Sequence, residues 1–214
     1  MRELRPGVWY WQSPHPEWDG EEGWPELVSS YAVELRDDFV LFDPLSVRDE
    51  LRRRATAVVL TAPYHERDAH RLGLPVHTPP ADTWQDWVDK FGVDPDRVRG
   101  MESEDLAWLR AGEGEGHFHG PGAWPFGINA YAGREDNDLI LWVPSINAIV
   151  TGDSLSDFGN GLDIQLGGRK HVTRDDVVLR LRPLLDLPVE LVLPAHGEPV
   201  LEDGRAALAR ALGD

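Results

Sequence analysis

One short stretch, His65-Glu66-Arg67-Asp68 with His70 two positions further on, gathers two imidazoles, two carboxylates and a guanidinium. Such a set can move protons or replace metal ligands, and the same composition also suits the solvated start of a helix. Asp153 and His196 each follow an apolar run of strand length, 148–151 and 189–193, so each stands where a buried strand ends. His117 and His119 form a His-x-His pair within Gly-Glu-Gly-His-Phe-His-Gly. On an extended strand that spacing puts both rings on one face, which suits a metal; a flexible polar loop is the other reading. His15, His77 and His171 have no constellation around them and read as ordinary structural or surface residues. The chain has no cysteine, which excludes disulfides, thiolate ligands and a cysteine nucleophile and suits a reducing compartment.

The elements that must position these groups follow from local pattern. Val8 to Gln12, Tyr31 to Leu35 and Phe39 to Phe42 read as strands, the last closed by Asp43-Pro44, and the Pro and Gly residues from Pro14 to Pro25 mark a loop. Ser46 with Asp49 three positions on predicts a cap opening a short helix through Arg54. Ala55 to Thr61 is a continuous apolar run, the mark of a strand buried on both faces, and Leu74 to Thr78 predicts another strand. From Thr83 the period changes: Trp84, Trp87, Val88 and Phe91 share one helical face, and Gly92 is placed to end the helix. Ile128 to Tyr131, Leu139 to Val143 and Ala148 to Thr151 read as a meander. Thr173 with Asp176 caps a helix carrying Val177, Leu181 and Leu184, disturbed by Pro183 in its last turn. Val189 to Leu193 predicts a buried strand and Arg205 to Leu212 a closing helix.

At 214 residues the chain is long enough for one domain, 1–214, that buries most of the surface its unfolded form exposes. Two strand-rich halves with attached helices predict an α/β fold, a layered αββα sandwich. The net charge of −17 argues against nucleic acid and anionic membranes as partners. Neither an apolar leader at the N-terminus nor a run near the ~20 residues of a membrane span is present, so a cytoplasmic location is expected. Five of the nine tryptophans, Trp9, Trp11, Trp18, Trp24 and Trp124, fall in loops or strand ends. They either complete a core or line a pocket for a ring-bearing or acyl ligand.

Four segments, in order, resemble the landmarks of the metallo-β-lactamase superfamily: Thr61 to Asp68 after a buried strand, Gly120-Pro121-Gly122-Ala123-Trp124-Pro125-Phe126-Gly127, Thr151-Gly152-Asp153-Ser154, and Pro194-Ala195-His196-Gly197. The resemblance spans nearly the whole chain and implies a four-layer αββα sandwich and hydrolytic chemistry at one or two metal ions. The ligand set is incomplete. The family's Thr-His-x-His-x-Asp-His motif falls on Thr61, Ala62, Tyr64, Glu66 and Arg67, and its middle histidine on Ala123. One metal site therefore loses all its imidazoles. The other retains Glu66, Asp153 and His196, a facial set able to hold one zinc, manganese or iron ion, with Arg67 where an imidazole belongs.

Two functions follow from the resemblance. One is a hydrolase with at most one divalent metal held by Glu66, Asp153 and His196. The ion activates water against an ester, thioester, amide or phosphoester, and His65 or Asp68 shuttles the proton. The other is a metal-free, non-catalytic protein that uses the cleft for a small molecule or a protein, with the Arg67 guanidinium replacing the ion and pairing with Asp153 or Glu66.

Overall fold

A computed structural model of the chain describes residues 1–20, 23–98 and 104–214. Seven strands form the first sheet in chain order: β1 (Arg2–Arg5), β2 (Val8–Pro14), β3 (Leu27–Leu35), β4 (Asp38–Phe42), β5 (Ala57–Val59), β6 (Val76–Thr78) and β7 (Gly116–Phe118). Strands β1 to β4 pair antiparallel, and β4 to β7 run parallel. In the second sheet β8 (Gly122–Ala123), β9 (Asn129–Glu135), β10 (Asp138–Val143) and β11 (Ala148–Gly152) meander antiparallel. After the hairpin β12 (Leu155–Asp157) and β13 (Leu162–Ile164), β14 (Leu191–Pro194) joins β11 in parallel.

Side chains alternate across each strand, and that alternation makes the layers. In β4, Val40 and Phe42 enter the core between the sheets, while Phe39 and Leu41 face outward. In β10, Leu139, Leu141 and Val143 enter the same central core, and Ile140 and Trp142 face the opposite way. The outer face of the first sheet is covered by α1 (Asp49–Arg52), α2 (Ala69–Leu72) and α5 (Ala107–Arg110), through Leu51, Ala69 and Leu109. Between α2 and α5 in the chain come α3 (Trp84–Phe91) and α4 (Pro95–Val98). The outer face of the second sheet is covered by α6 (Arg174–Leu181) and α7 (Gly204–Leu212), through Val177, Leu181, Leu208 and Leu212. The order of layers is α, β, β, α.

Several local expectations change. Ser46 does not cap α1; it sits in a left-handed conformation and its N–H donates to the Asp68 carboxylate. The Thr173–Asp176 box does cap α6, and beyond Leu181, where Pro183 removes a donor, the chain tightens into a 3₁₀ turn over Arg182–Asp186. His117 lies on β7, paired with His77 on β6, and not in a loose loop. Helix α3 ends at Gly92 with positive φ as expected, but it is turned over: Trp84 and Trp87 are each about two-fifths exposed, and Lys90 is its buried side chain. No described helix is long and apolar enough to cross a membrane.

Candidate functional site

Both sheets deliver polar side chains to one rim of the sandwich. From the first sheet, Asp43 closes β4 with φ of 44°, and its carboxylate accepts from the Thr61 N–H (2.9 Å) and the Thr61 hydroxyl (2.6 Å). His65, on the turn after β5, is buried, with Nδ1 3.1 Å from Asp43 Oδ2 and Nε2 3.2 Å from Asp153 Oδ1. From the second sheet, Asp153 follows Gly152 at the end of β11, and His196 follows β14 with Nε2 3.5 Å from Asp153 Oδ1. Gly152 is required there: φ is +52°, and a Cβ would meet the Thr61 hydroxyl at 2.8 Å. Asp153 and His196 thus line one cleft with Tyr64, His65 and Arg67 of the loop after Thr61.

The principal cation is one that the sequence did not suggest. Arg134 on β9 donates through Nε to Asp138 (2.5 Å), through Nη1 to the Gln165 carbonyl (3.0 Å), and through Nη2 to the Tyr64 hydroxyl (2.8 Å) and Asp153 Oδ2 (3.0 Å). Tyr64 in turn donates to the fully buried Asp138. Burial opposes charge on His65, but Asp43 and Asp153 on either side outweigh it and push the imidazole up to about 9. Burial likewise opposes charge on Asp153; His65, His196 and Arg134 hold its carboxyl well below the usual range. Asp43 is held low mainly by His65, against its own burial. At neutral pH the site is an ionised Asp43–His65–Asp153–Arg134 array.

Three expectations are corrected. Glu66 is not beside Asp153: its Oε2 accepts from the Leu106 N–H (2.8 Å) and the Trp108 indole (3.0 Å), fastening the α5 segment over the outer core. Asp68 takes no place in the cleft wall; its carboxylate accepts from the Ser46 N–H and faces Arg71. Arg67 reaches neither Asp153 nor Glu66 with a hydrogen bond. Its Nη1 donates to the carbonyls of Ser29 (2.8 Å) and Asp43 (2.7 Å), an arrangement set up by its left-handed backbone (φ 42°). The trio Glu66, Asp153 and His196 therefore does not assemble, because the carboxylate has a better use as a backbone cap.

The donor chemistry tests whether a metal fits. Ala62 and Ala123 carry no ligand atom, and the Tyr64 hydroxyl is spent on Asp138 and Arg134. A protonated His65 offers no lone pair, and Asp153 Oδ2 is taken by a guanidinium. Among the described residues no group of three or more His, Cys, Asp or Glu side chains is arranged to hold an ion. The residues present do not fit the metal centre that the resemblance implies.

Elsewhere, His77 does have a constellation. Its ring stacks on that of His117 (4.7 Å) and meets His119 edge to edge, with Nδ1 3.1 Å from His119 Nε2, and burial with two imidazole neighbours pushes it down to about 4. Of the loop tryptophans, Trp11, Trp124 and Trp18 spend their indole N–H groups on backbone carbonyls, and Trp9 packs on Phe39. Only Trp24 of the five lines the cleft.

Asp43 and Arg134 are the residues sequence reasoning missed. Arg134 lies in Gly-Arg-Glu-Asp-Asn-Asp, which looks like a turn. The signal was that β9 continues to Glu135, carrying charges into a strand whose partner is wholly buried.

At the level of sequence, no family model and no curated protein matches the chain. Solved structures do. A metallo-β-lactamase family protein from Thermus thermophilus aligns over 98% of this chain and 79% of its own, with TM-score 0.57 and 15% identity. A metallo-β-lactamase from Pontibacter korlensis aligns over 100% and 98%, with TM-score 0.60 and 14% identity. TTHA1623, solved in a di-iron-bound form, aligns over 87% and 94%, with TM-score 0.57 and 22% identity. The layers, the course of the strands and these neighbours agree: the chain has the metallo-β-lactamase fold.

Proposed function

We propose that this protein uses the cleft of the metallo-β-lactamase fold as a small-molecule binding site whose fixed positive charge is protein, not a resident metal ion. The contact between Arg134 Nη2 and Asp153 Oδ2 at 3.0 Å carries this reading. A buried carboxylate needs a cation, and here the guanidinium and the His65 imidazolium supply it. A divalent ion brought to the same carboxylate would meet two positive charges within a few ångströms in a partly desolvated site, and like charges repel strongly there. The cleft, about 900 Å³, suits a small organic molecule. The excess of acid over base in the chain disfavours nucleic acid as its partner, and a cytoplasmic setting fits the absence of cysteine.

One feature favours the one-metal hydrolase: Asp153 Oδ1 is buried without an aligned hydrogen-bond partner, close to His196. Metal analysis separates the two. After dialysis against chelator and gel filtration following loading with zinc, manganese or ferrous iron, no stoichiometric metal is expected, and the melting temperature should not respond to added ion. One equivalent retained at the cleft, with a raised melting temperature, overturns the metal-independent reading in favour of the mononuclear hydrolase.

A further inference from the structure

The cleft is chemically two-sided. Its rim is aromatic because α3 is inverted: Lys90 turns inward to Asp82 (2.7 Å) and Asn137 (2.8 Å), which leaves Trp87 and Phe91, 5.8 Å apart, as cleft wall. A helix that buries its lysine and exposes two tryptophans gives up hydrophobic stabilisation unless something apolar lies against it. Trp24 and Phe158 continue this wall, their rings 5.4 Å and 5.5 Å from that of His196.

The floor has unspent polar capacity. His196 borders the cleft as a buried ring whose Nε2 faces Asp153 Oδ1 at 3.5 Å, so the open polar capacity lies with the arginines. Three arginines line the cleft. Arg134 is paired with Asp138 and Asp153, and Arg169 with Glu135. Arg67 forms no ion pair among the described residues: Nη1 holds two backbone carbonyls, and Nε and Nη2 donate to none of those residues. Of the cleft acids, Asp82 is paired with Lys90, and Asp153 faces both Arg134 and His65.

We infer that the ligand is a small anion carried on a planar apolar body, its anionic head at Arg67 and its body along Trp24, Phe158, Trp87 and Phe91. A charged head meets the open guanidinium donors, and an aromatic body covers the tryptophan face that the fold leaves bare. The head chemistry is common to carboxylates and phosphates; the body separates this ligand from a simple inorganic ion. The inference rests on the metal-independent binding reading and extends it.

Calorimetric titration of chelator-dialysed protein with 2-naphthoate, 2-naphthamide, 2-naphthyl phosphate and acetate tests it. Both naphthyl anions should bind, and the amide and acetate should be weaker by about tenfold or more, since one loses the charged head and the other the body. Trp87→Ala, at an exposed position that should leave the melting temperature unchanged, should weaken naphthoate by about tenfold. Arg67→Gln should bring naphthoate to the level of the amide, and Arg67→Lys should restore part of the difference. The head assignment is overturned if the amide equals the acid, and the body assignment if acetate equals naphthoate or Trp87→Ala has no effect. Naphthoate binding that appears only after zinc is added sinks the metal-independent reading and leaves the head and body assignments standing. No binding with or without zinc overturns the inference itself.

Discussion

At the scale of single residues, Arg134 and Arg67 are not equivalent, although both line the cleft. Removing Arg134 leaves Asp138, which has no exposure at all, with Arg169 at 3.9 Å as its nearest cation, and takes a cation from Asp153. Arg134→Met is expected to cost about 3–5 kcal/mol in chemical denaturation, the usual consequence of breaking a buried ion pair from one side. Arg67→Met removes charged donors from two backbone carbonyls but strands no carboxylate, and should cost roughly 1.5–3 kcal/mol. The reverse order would mean that Arg67 is the true counter-charge of the site. Sequence reasoning chose Arg67 because it occupies a motif position normally filled by an imidazole. A motif gives adjacency in sequence, whereas the positive φ at Arg67 sends its side chain toward β3 and β4. Asp153 and His196 were legible because each ends a strand whose register the apolar run dictates. Glu66 was not, since its partner Leu106 lies 40 positions away and contributes only a backbone N–H.

At the scale of elements, Glu66 is a fastener. Glu66→Ala removes the acceptor for the Leu106 N–H and the Trp108 indole. The expected result is a loss of about 1–3 kcal/mol, with faster amide exchange at Leu106 than on β10 or β11. Unchanged exchange there would return Glu66 to the list of free carboxylates. The strands and long helices were readable because their signals are local: the β4 and β10 alternations, the Thr173–Asp176 box, and Gly92 after α3. The orientation of α3 was not readable. Periodicity identifies a helix with an apolar face but does not say which face the protein covers, and here four polar contacts of Lys90, Asp82 and Asn137 outcompete the packing of Trp84 and Trp87. The short β7 escaped for a related reason: three residues in a glycine-rich stretch look like a loop until β6 lies beside them.

At the scale of the whole molecule, the site is also the seam between the two sheets. The Leu139 N–H donates to the Thr61 carbonyl, the Ser29 N–H to the Ala195 carbonyl and the Tyr31 hydroxyl to the Pro194 carbonyl, all beside the ionised array. The charge state of His65 should therefore be felt in global stability. Its folded value near 9 lies above the ordinary 6.5, so its contribution is complete below about pH 6.5 and lost as pH rises toward 9. Asp43 and Asp153 are depressed, so theirs is present above the usual carboxylate range and lost as pH falls below it. Melting temperature should fall on both sides of neutrality, and His65→Gln should flatten the alkaline limb between pH 6.5 and 9. An alkaline limb unchanged by that substitution would show that His65 is not charged in the native state. Arg134 has a further consequence for how the cleft comes into being. A positive charge that is part of strand β9 is made by the ribosome, so under the metal-independent proposal the site would need no loading step, no delivery partner and no competition for scarce ions. That charge gains its first partner when the β9–β10 hairpin closes and Arg134 meets Asp138.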